Sequence, residues 1–142
     1  MKHSVYSFSD NSLVINSPGC GSCTITGEGV GSIGITRATD VSQHDAAADG
    51  SIMTSKIKIS NGTLAISVQQ TSYANVWLRK WYNYLMEAPT PQFTETSAVL
   101  KSMASGEQIE IVGITPQKRP DLTYQVTGQQ VTWNLLAVEI NE

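Results

Sequence analysis

The segment Met53–Gln69, MTSKIKISNGTLAISVQ, alternates apolar and polar residues on both sides of a central Asn61-Gly62. Successive side chains on a strand point to opposite faces, so a slip of one residue exchanges the buried and wet sets. Asn-Gly is the preferred two-residue hairpin link, because a type I′ turn needs positive φ at both positions. The pattern therefore predicts strands over Met53–Ser60 and Thr63–Gln69, with Ile59 opposite Leu64, Ile57 opposite Ile66 and Ser55 opposite Val68. One face of that ribbon is apolar; the other carries Lys56, Lys58, Ala65, Ser67 and Gln69. A chain with such a ribbon folds as a sheet protein with one face on the core and one in water.

The remaining segments follow the same logic. Short β-like runs recur at roughly the 8–12 residue spacing of all-β proteins. They are Ser4–Ser9, Leu13–Ile15, Thr24–Thr26, Ile33–Thr36, Ser97–Leu100, Gln108–Thr115, Leu122–Val126 and Val131–Val138. One helix interrupts them. Ser72 can cap its first turn, Pro89 stops it, and Trp77, Trp81 and Leu85 repeat at helical spacing with Leu78 and Tyr82 beside them. Such a stripe packs on a core. The small-residue run Asp40 to Ser51, centred on Ala46-Ala47-Ala48-Asp49-Gly50, reads as a long loop that buries little apolar area. No internal repeat or linker divides the chain, so a single domain over 1–142 is expected.

At 142 residues the chain can bury one sizeable core. Charged residues make up only 15%, against about 25% in an ordinary soluble domain. Ser, Thr, Asn, Gln and Gly fill the gap, and neutral polar surface of that kind suits burial against a partner. The net charge of −3 argues against a nucleic-acid-binding domain, which normally carries a basic patch. No apolar run approaches the roughly 18 residues of a membrane span. The start, Met1-Lys2-His3-Ser4-Val5-Tyr6-Ser7, lacks the apolar centre of a signal peptide, so synthesis in the cytoplasm is expected.

Catalytic patterns are not found. Cys20-Gly-Ser-Cys23 follows Pro18-Gly19 and precedes Thr24-Ile25-Thr26-Gly27, a turn entering a strand rather than the helix start of a redox site. A zinc site would need His3 and His44 to complete four ligands. Asp40, Asp45 and Asp49 share one loop without the ordered spacing of a calcium loop. Gly27, Gly29 and Gly31 precede no helix and make no phosphate cradle. No catalytic, cofactor or metal residue is assigned.

The ordered set Asp49-Gly50-Ser51, Ser60-Asn61-Gly62, Thr71-Ser72 with Asn75, then Pro120-Asp121, Tyr124, Gly128 and Val131-Thr132-Trp133 resembles bacteriophage tail tube proteins of contractile tails. The resemblance runs from Tyr6-Ser7-Phe8 to Trp133, and departs at Cys20-Gly-Ser-Cys23, where a glycine-rich loop without cysteines is expected. It implies a mainly β fold: a β-sandwich or barrel-like tail tube domain with one flanking helix over about 72–88 and a long loop over about 40–52. It also implies hexameric rings stacked into a hollow tube, each subunit giving four strands to a barrel that lines the channel. Similarity to type VI secretion ring proteins and pyocin tubes follows. The implied partners are copies of itself, sheath, baseplate or tube-initiator and tail-terminator proteins, with DNA passing through unbound and no insertion into a membrane. The implied location is the virion tail, after synthesis in the host cytoplasm.

In that setting the long loop makes contacts between neighbouring subunits and rings, which selects Asp40, His44, Asp45, Ala47, Asp49, Gly50, Ser51 and Ile52. Asn61 and Gly62 set the hairpin turn. The polar ribbon face supplies candidate channel-facing residues Lys56, Lys58, Ser67 and Gln69, although lysines there would attract phosphate. The competing readings are the tube of a headless bacteriocin or secretion particle and a carbohydrate-binding β-sandwich using Trp77, Trp81 and Tyr82. A redox enzyme built on Cys20 and Cys23 is a third.

Overall fold

The alternation that reads as a hairpin across Asn61-Gly62 belongs to two strands that never pair with each other. The computed structural model describes residues 3–27, 29–103 and 105–142. In chain order its strands are β1 (Asn11–Ser17), β2 (Gly21–Ile25), β3 (Val30–Arg37), β4 (Ser42–Ala46), β5 (Ile52–Lys56) and β6 (Gly62–Gln69). The helix α1 (Tyr73–Glu87) follows, then β7 (Thr96–Ser102), β8 (Gln108–Pro116), β9 (Gln130–Ala137) and β10 (Glu139–Asn141).

The body is an antiparallel sandwich whose two sheets share a strand. In the first sheet β1 lies between β2 and β7, with Leu13 opposite both Ile25 and Leu100. The first sheet continues through β8 to β10. In the second sheet β6 lies between β3 and β9, with Ile66 opposite both Ile33 and Trp133. The two are joined where the end of β8 pairs with β9, Thr115 opposite Leu136. Leu13, Ile15, Ile25, Leu64, Ile66, Ile111, Ile114, Trp133 and Leu135 are buried between them.

Strand β8 changes sheets through a bulge. Its inward residues run Ile109, Ile111, then Ile114 and Pro116, so the period of two breaks once. The partner strand steps from Thr96 opposite Ile114 to Ser97 opposite Val112, which leaves Gly113 as the extra residue. Gly113 has φ +71°, a left-handed value that glycine adopts without a Cβ penalty. A Cβ there would lie 2.8 Å from the Val138 Cβ. Val138 is itself the residue between β9 in the second sheet and β10 in the first, and its N–H donates to Val112 O at 3.1 Å. Two strands thus cross between sheets at one corner, with room for only one side chain.

The helix forms as its sequence predicts. Ser72 is the cap, its hydroxyl accepting from the Asn75 N–H at 3.3 Å. Trp77, Leu78, Trp81 and Leu85 are buried. Each deeply placed polar group on this face has a partner. The Trp81 indole N–H donates to Thr96 Oγ1 at 2.9 Å and the Trp133 indole N–H to Asn75 Oδ1 at 3.1 Å. Trp77 and Trp81 stack with centroids 6.3 Å apart. Burial of Trp77 and Trp81, with the Arg119 guanidinium over the Tyr82 ring, removes the sugar-platform reading, because an aromatic that stacks on a sugar must present its face to solvent.

Four sequence expectations are corrected. Residues 53–56 pair not with β6 but with β4, Asp45 opposite Met53 and Ser42 opposite Lys56, and residues 57–60 form no strand. Both edges of β6 are occupied by β3 and β9, so no position is left for a local hairpin partner. Asn61-Gly62 is accordingly no type I′ turn: Gly62 opens β6 opposite Arg37 and Ala137, and neither residue has positive φ. The expected loop 40–52 holds strand β4 and the start of β5, and residues 47–51 between them turn. Ser4–Ser9 and Leu122–Val126 are not strands. The first is an exposed approach to a single 3-10 turn over Phe8–Asp10, and the second is an exposed connection before β9.

Candidate assembly surfaces

Two surfaces stand out once the core is accounted for. The first is the outward face of the second sheet. Its inward residues are taken up by the core, so every other residue on β3, β6 and β9 faces away. Those positions are Ser32, Gly34 and Thr36 on β3, Thr63, Ala65, Ser67 and Gln69 on β6, and Gln130, Thr132, Asn134 and Leu136 on β9. None is charged. One cross-strand pair on it, the Ser67 and Thr132 hydroxyls, is hydrogen-bonded at 3.0 Å. The outward face of the first sheet differs, since Lys101, Glu110 and Glu139 lie on it.

The second surface is the β4–β5 arm. Strands β3 and β6 run side by side from Arg37 opposite Gly62, and the chain between those two residues leaves the body and returns. At its base Ala38 N–H donates to Asn61 O at 3.2 Å and the Thr39 hydroxyl to Asn61 Oδ1 at 2.9 Å. Asn61 therefore clamps the base of the arm rather than turning a hairpin. At the tip, Ala47 N–H donates to Ser51 O at 2.8 Å and Gly50 has φ +90°. The Ser51 N–H donates to Asp49 Oδ1 at 3.0 Å, and that bond holds the carboxyl below its ordinary range. Every residue of β4 and β5 is exposed, including Ile52 at 63% and Met53 at 62%. A two-stranded ribbon has no core of its own, and the apolar side chains of Ile52 and Met53 are left unpacked on it.

The sequence-selected residues divide between these surfaces. Ser67 and Gln69 belong to the uncharged sheet face, whereas Lys56 lies on the arm and Lys58 on its return to the body. The four therefore do not share one face, because β5 and β6 are not partners. His44, Asp45, Ala47, Asp49, Gly50, Ser51 and Ile52 all lie on the arm, and Asp40 just before it. Missed from sequence were the outward residues of β3 and β9; their neutral alternation around Trp133 and Leu135 was the available signal.

The cysteines face the core side of the fold. Cys23 is buried on β2 opposite Ile15, and burial pushes its thiol up to about 11. Burial also raises Cys20, against a hydrogen bond from Ser17 that lowers it. A reactive redox thiol is shifted the other way. Among the described residues no helix is long and apolar enough to cross a membrane.

Comparison with known proteins decides the family. The family model described as bacteriophage PhiTE tail tube protein matches residues 3–142. The chain belongs to this family. This tail tube protein is thus a structural component of a phage-like tail. No curated protein matches it. Among solved structures, its fold is similar to a chain in the anti-feeding prophage baseplate, at TM-score 0.64 and 8% identity over 99% of this chain and 96% of that one. A chain of the tube-terminating cap of the same particle matches at TM-score 0.58 and 7% identity, over 99% and 91%. A chain of the sheath-tube complex of an extracellular contractile injection system, PVC, matches at TM-score 0.57 and 6% identity, over 98% and 90%. At such identities the likeness concerns the fold.

Proposed function

We propose that six copies of this tail tube protein close into a ring, that rings stack into a hollow tube, and that the uncharged face of the second sheet lines the channel. The observation that carries the reading is that face: three neighbouring strands present neutral side chains and no charge. A channel for DNA needs a wall that does not bind phosphate, since each lysine contact adds salt-dependent affinity. Lys56 and Lys58 sit outside that wall, which removes the conflict raised by the sequence. Ring closure also gives the free edge of β3 a neighbour and removes the exposed edges of the sheet.

The arm is then the contact between copies. Its apolar residues are covered when it lies on an adjacent subunit or ring. Sheath, baseplate and terminator proteins are the further partners, in line with the particles whose chains share the fold, and the role is structural rather than enzymatic. Synthesis is placed in the host cytoplasm and the finished protein in the tail. Because the uncharged wall suits any polar cargo, the tube of a headless particle is the alternative setting. Nucleic acid inside purified particles separates the two.

Cryo-electron microscopy of purified particles tests the arrangement. Six-fold rings with Ser67, Thr132 and Asn134 on the lumen are expected. A different rotational order, or α1 facing the lumen, overturns it.

A further inference from the structure

Charge is scarce in this chain, and where it collects without neutralisation is informative. Arg79 on α1 and Arg119 in the connection before β9 line one pocket of about 310 Å³, together with Asn83, Pro120, Leu122 and Trp133. Arg119 is held in place on two sides. Its Nη2 donates to Asn83 Oδ1 at 2.6 Å, and its guanidinium carbon lies 4.6 Å from the centre of the Tyr82 ring. Stacking and one hydrogen bond fix the plane of the group but occupy only part of its five N–H donors. Arg79 stands one turn before Asn83 on the helix and is exposed. Among the described residues the ion pair is Arg37 with Glu142, at 2.7 Å, so neither pocket arginine meets a carboxylate. Lys80 and Lys118, next to each of them in sequence, are exposed as well. In a chain with 12 acidic and 9 basic residues, two guanidiniums left unpaired in one concavity mark a local excess of positive charge against the overall balance.

We infer that this pocket takes a carboxylate side chain, Asp or Glu, from a protein wrapped around the tube. The guanidinium fork matches a carboxylate with two parallel hydrogen bonds. The Trp133, Leu122 and Pro120 walls suit the methylene stem of the acid. Position selects the source. Trp133 points inward from β9, while its neighbours Thr132 and Asn134 point to the uncharged outward face. The pocket thus lies on the opposite side of the second sheet from that face. A phosphate travelling in a channel lined by the uncharged face cannot reach it, whereas a layer surrounding the tube can. This step of location rests on the tube arrangement proposed above; the pocket chemistry does not.

The test uses a fluorescent hexaglutamate peptide as probe, titrated into the purified full-length chain and followed by anisotropy. Wild type is expected to bind in a salt-sensitive manner. The double variant R79Q/R119Q is expected to bind about tenfold more weakly or worse, while K56Q/K58Q, which removes the same charge from the arm, stays near wild type. Circular dichroism checks that both variants are folded. Equal loss in the two variants, or no binding by wild type, overturns the proposal, and so does inorganic phosphate competing as well as the peptide. If R79Q/R119Q is folded but forms no tubes, the pocket joins copies of this chain, and the proposal also falls. A particle reconstruction separates the two ideas. The face on the lumen decides the tube arrangement, and a carboxylate of a surrounding chain on Arg79 or Arg119 decides this one.

Discussion

The indole N–H of Trp133 donates to Asn75 Oδ1 at 3.1 Å, joining the middle of β9 to the first turn of α1. The Asn75 amide in turn donates to Gln70 O at 3.0 Å, just after β6 ends. One buried side chain therefore satisfies a strand, a helix and the link between them. Replacing Asn75 with Ala strands the Trp133 N–H and the Gln70 carbonyl, each at a cost of about 1–3 kcal/mol. Denaturant unfolding of Asn75→Ala should show a loss of about 2–5 kcal/mol. Equal stability of Asn75→Ala and wild type would show that water replaces the side chain.

Gly113 and Gly50 offer a paired test of the corner where strands change sheets. Both have left-handed φ, at +71° and +90°. A Cβ at Gly50 meets open space, whereas at Gly113 it lies 2.7 Å from Val138 Cγ2. Gly50→Ala should cost only the conformational penalty of about 1–2 kcal/mol, felt at the arm tip. Gly113→Ala adds a clash at the crossing and should lower the melting temperature of the body well beyond Gly50→Ala. Similar melting of the two variants would mean that Val138 moves aside freely.

Gly62 separates a turn from a close approach. At this position a Cβ would lie 2.2 Å from Thr36 O and 2.7 Å from Ile140 Cδ1. Asn tolerates the φ > 0 of a type I′ turn and would be accepted in one. In the observed strand Gly62→Asn and Gly62→Val should both fail to give folded protein. Normal expression of Gly62→Asn alongside failure of Gly62→Val would restore the turn.

These three sites also mark what the sequence could and could not disclose. The helix was legible because its cap, its stripe and its proline stop all agree. Strands β6, β8 and β9 were legible from period-two alternation, and the shift from Ile109 and Ile111 to Ile114 and Pro116 even records the bulge at Gly113. The partner of residues 53–60 was not legible. Alternation says which face of a strand is buried but not which strand lies beside it, and Asn-Gly favoured a local answer over β3 and β9. The arm misled for a related reason: small polar residues that build no core look like a loop, although here their backbone forms a ladder. The arginine pocket was beyond reach, since Arg79 and Arg119 lie 40 positions apart in sequence and meet only through the fold.

Cys23 predicts a dependence on alkaline pH. Its thiol ionises near 9 when unfolded and near 11 when folded. Below pH 9 both states keep the proton and the stabilisation is complete. Between pH 9 and 11 the unfolded state releases its proton first, so stability falls as pH rises. Cys23→Ala should flatten this part of the stability profile, and alkylation of the native thiol near pH 8 should be slow until denaturant is added. Rapid alkylation of native protein would show that β2 opens readily.

The arm separates folding from assembly most directly. Arg37 and Gly62 are cross-strand partners, so their Cα atoms lie about 5 Å apart and a short Gly-rich turn can join β3 to β6 without strain. None of the excised residues belongs to the body's buried core, and every residue of β4 and β5 is exposed. Replacing residues 40–59 by such a turn should leave the melting temperature of the subunit close to wild type. In a free subunit the ribbon should also exchange its amide hydrogens quickly, because an isolated two-stranded hairpin is marginal in water. Assembled into tubes, the same amides should become protected as neighbouring copies cover Ile52 and Met53. Loss of tubes with an intact fold is the expected phenotype of the deletion. Normal tubes from the armless chain, or strong protection of the arm in the free subunit, would remove the arm from the assembly contacts.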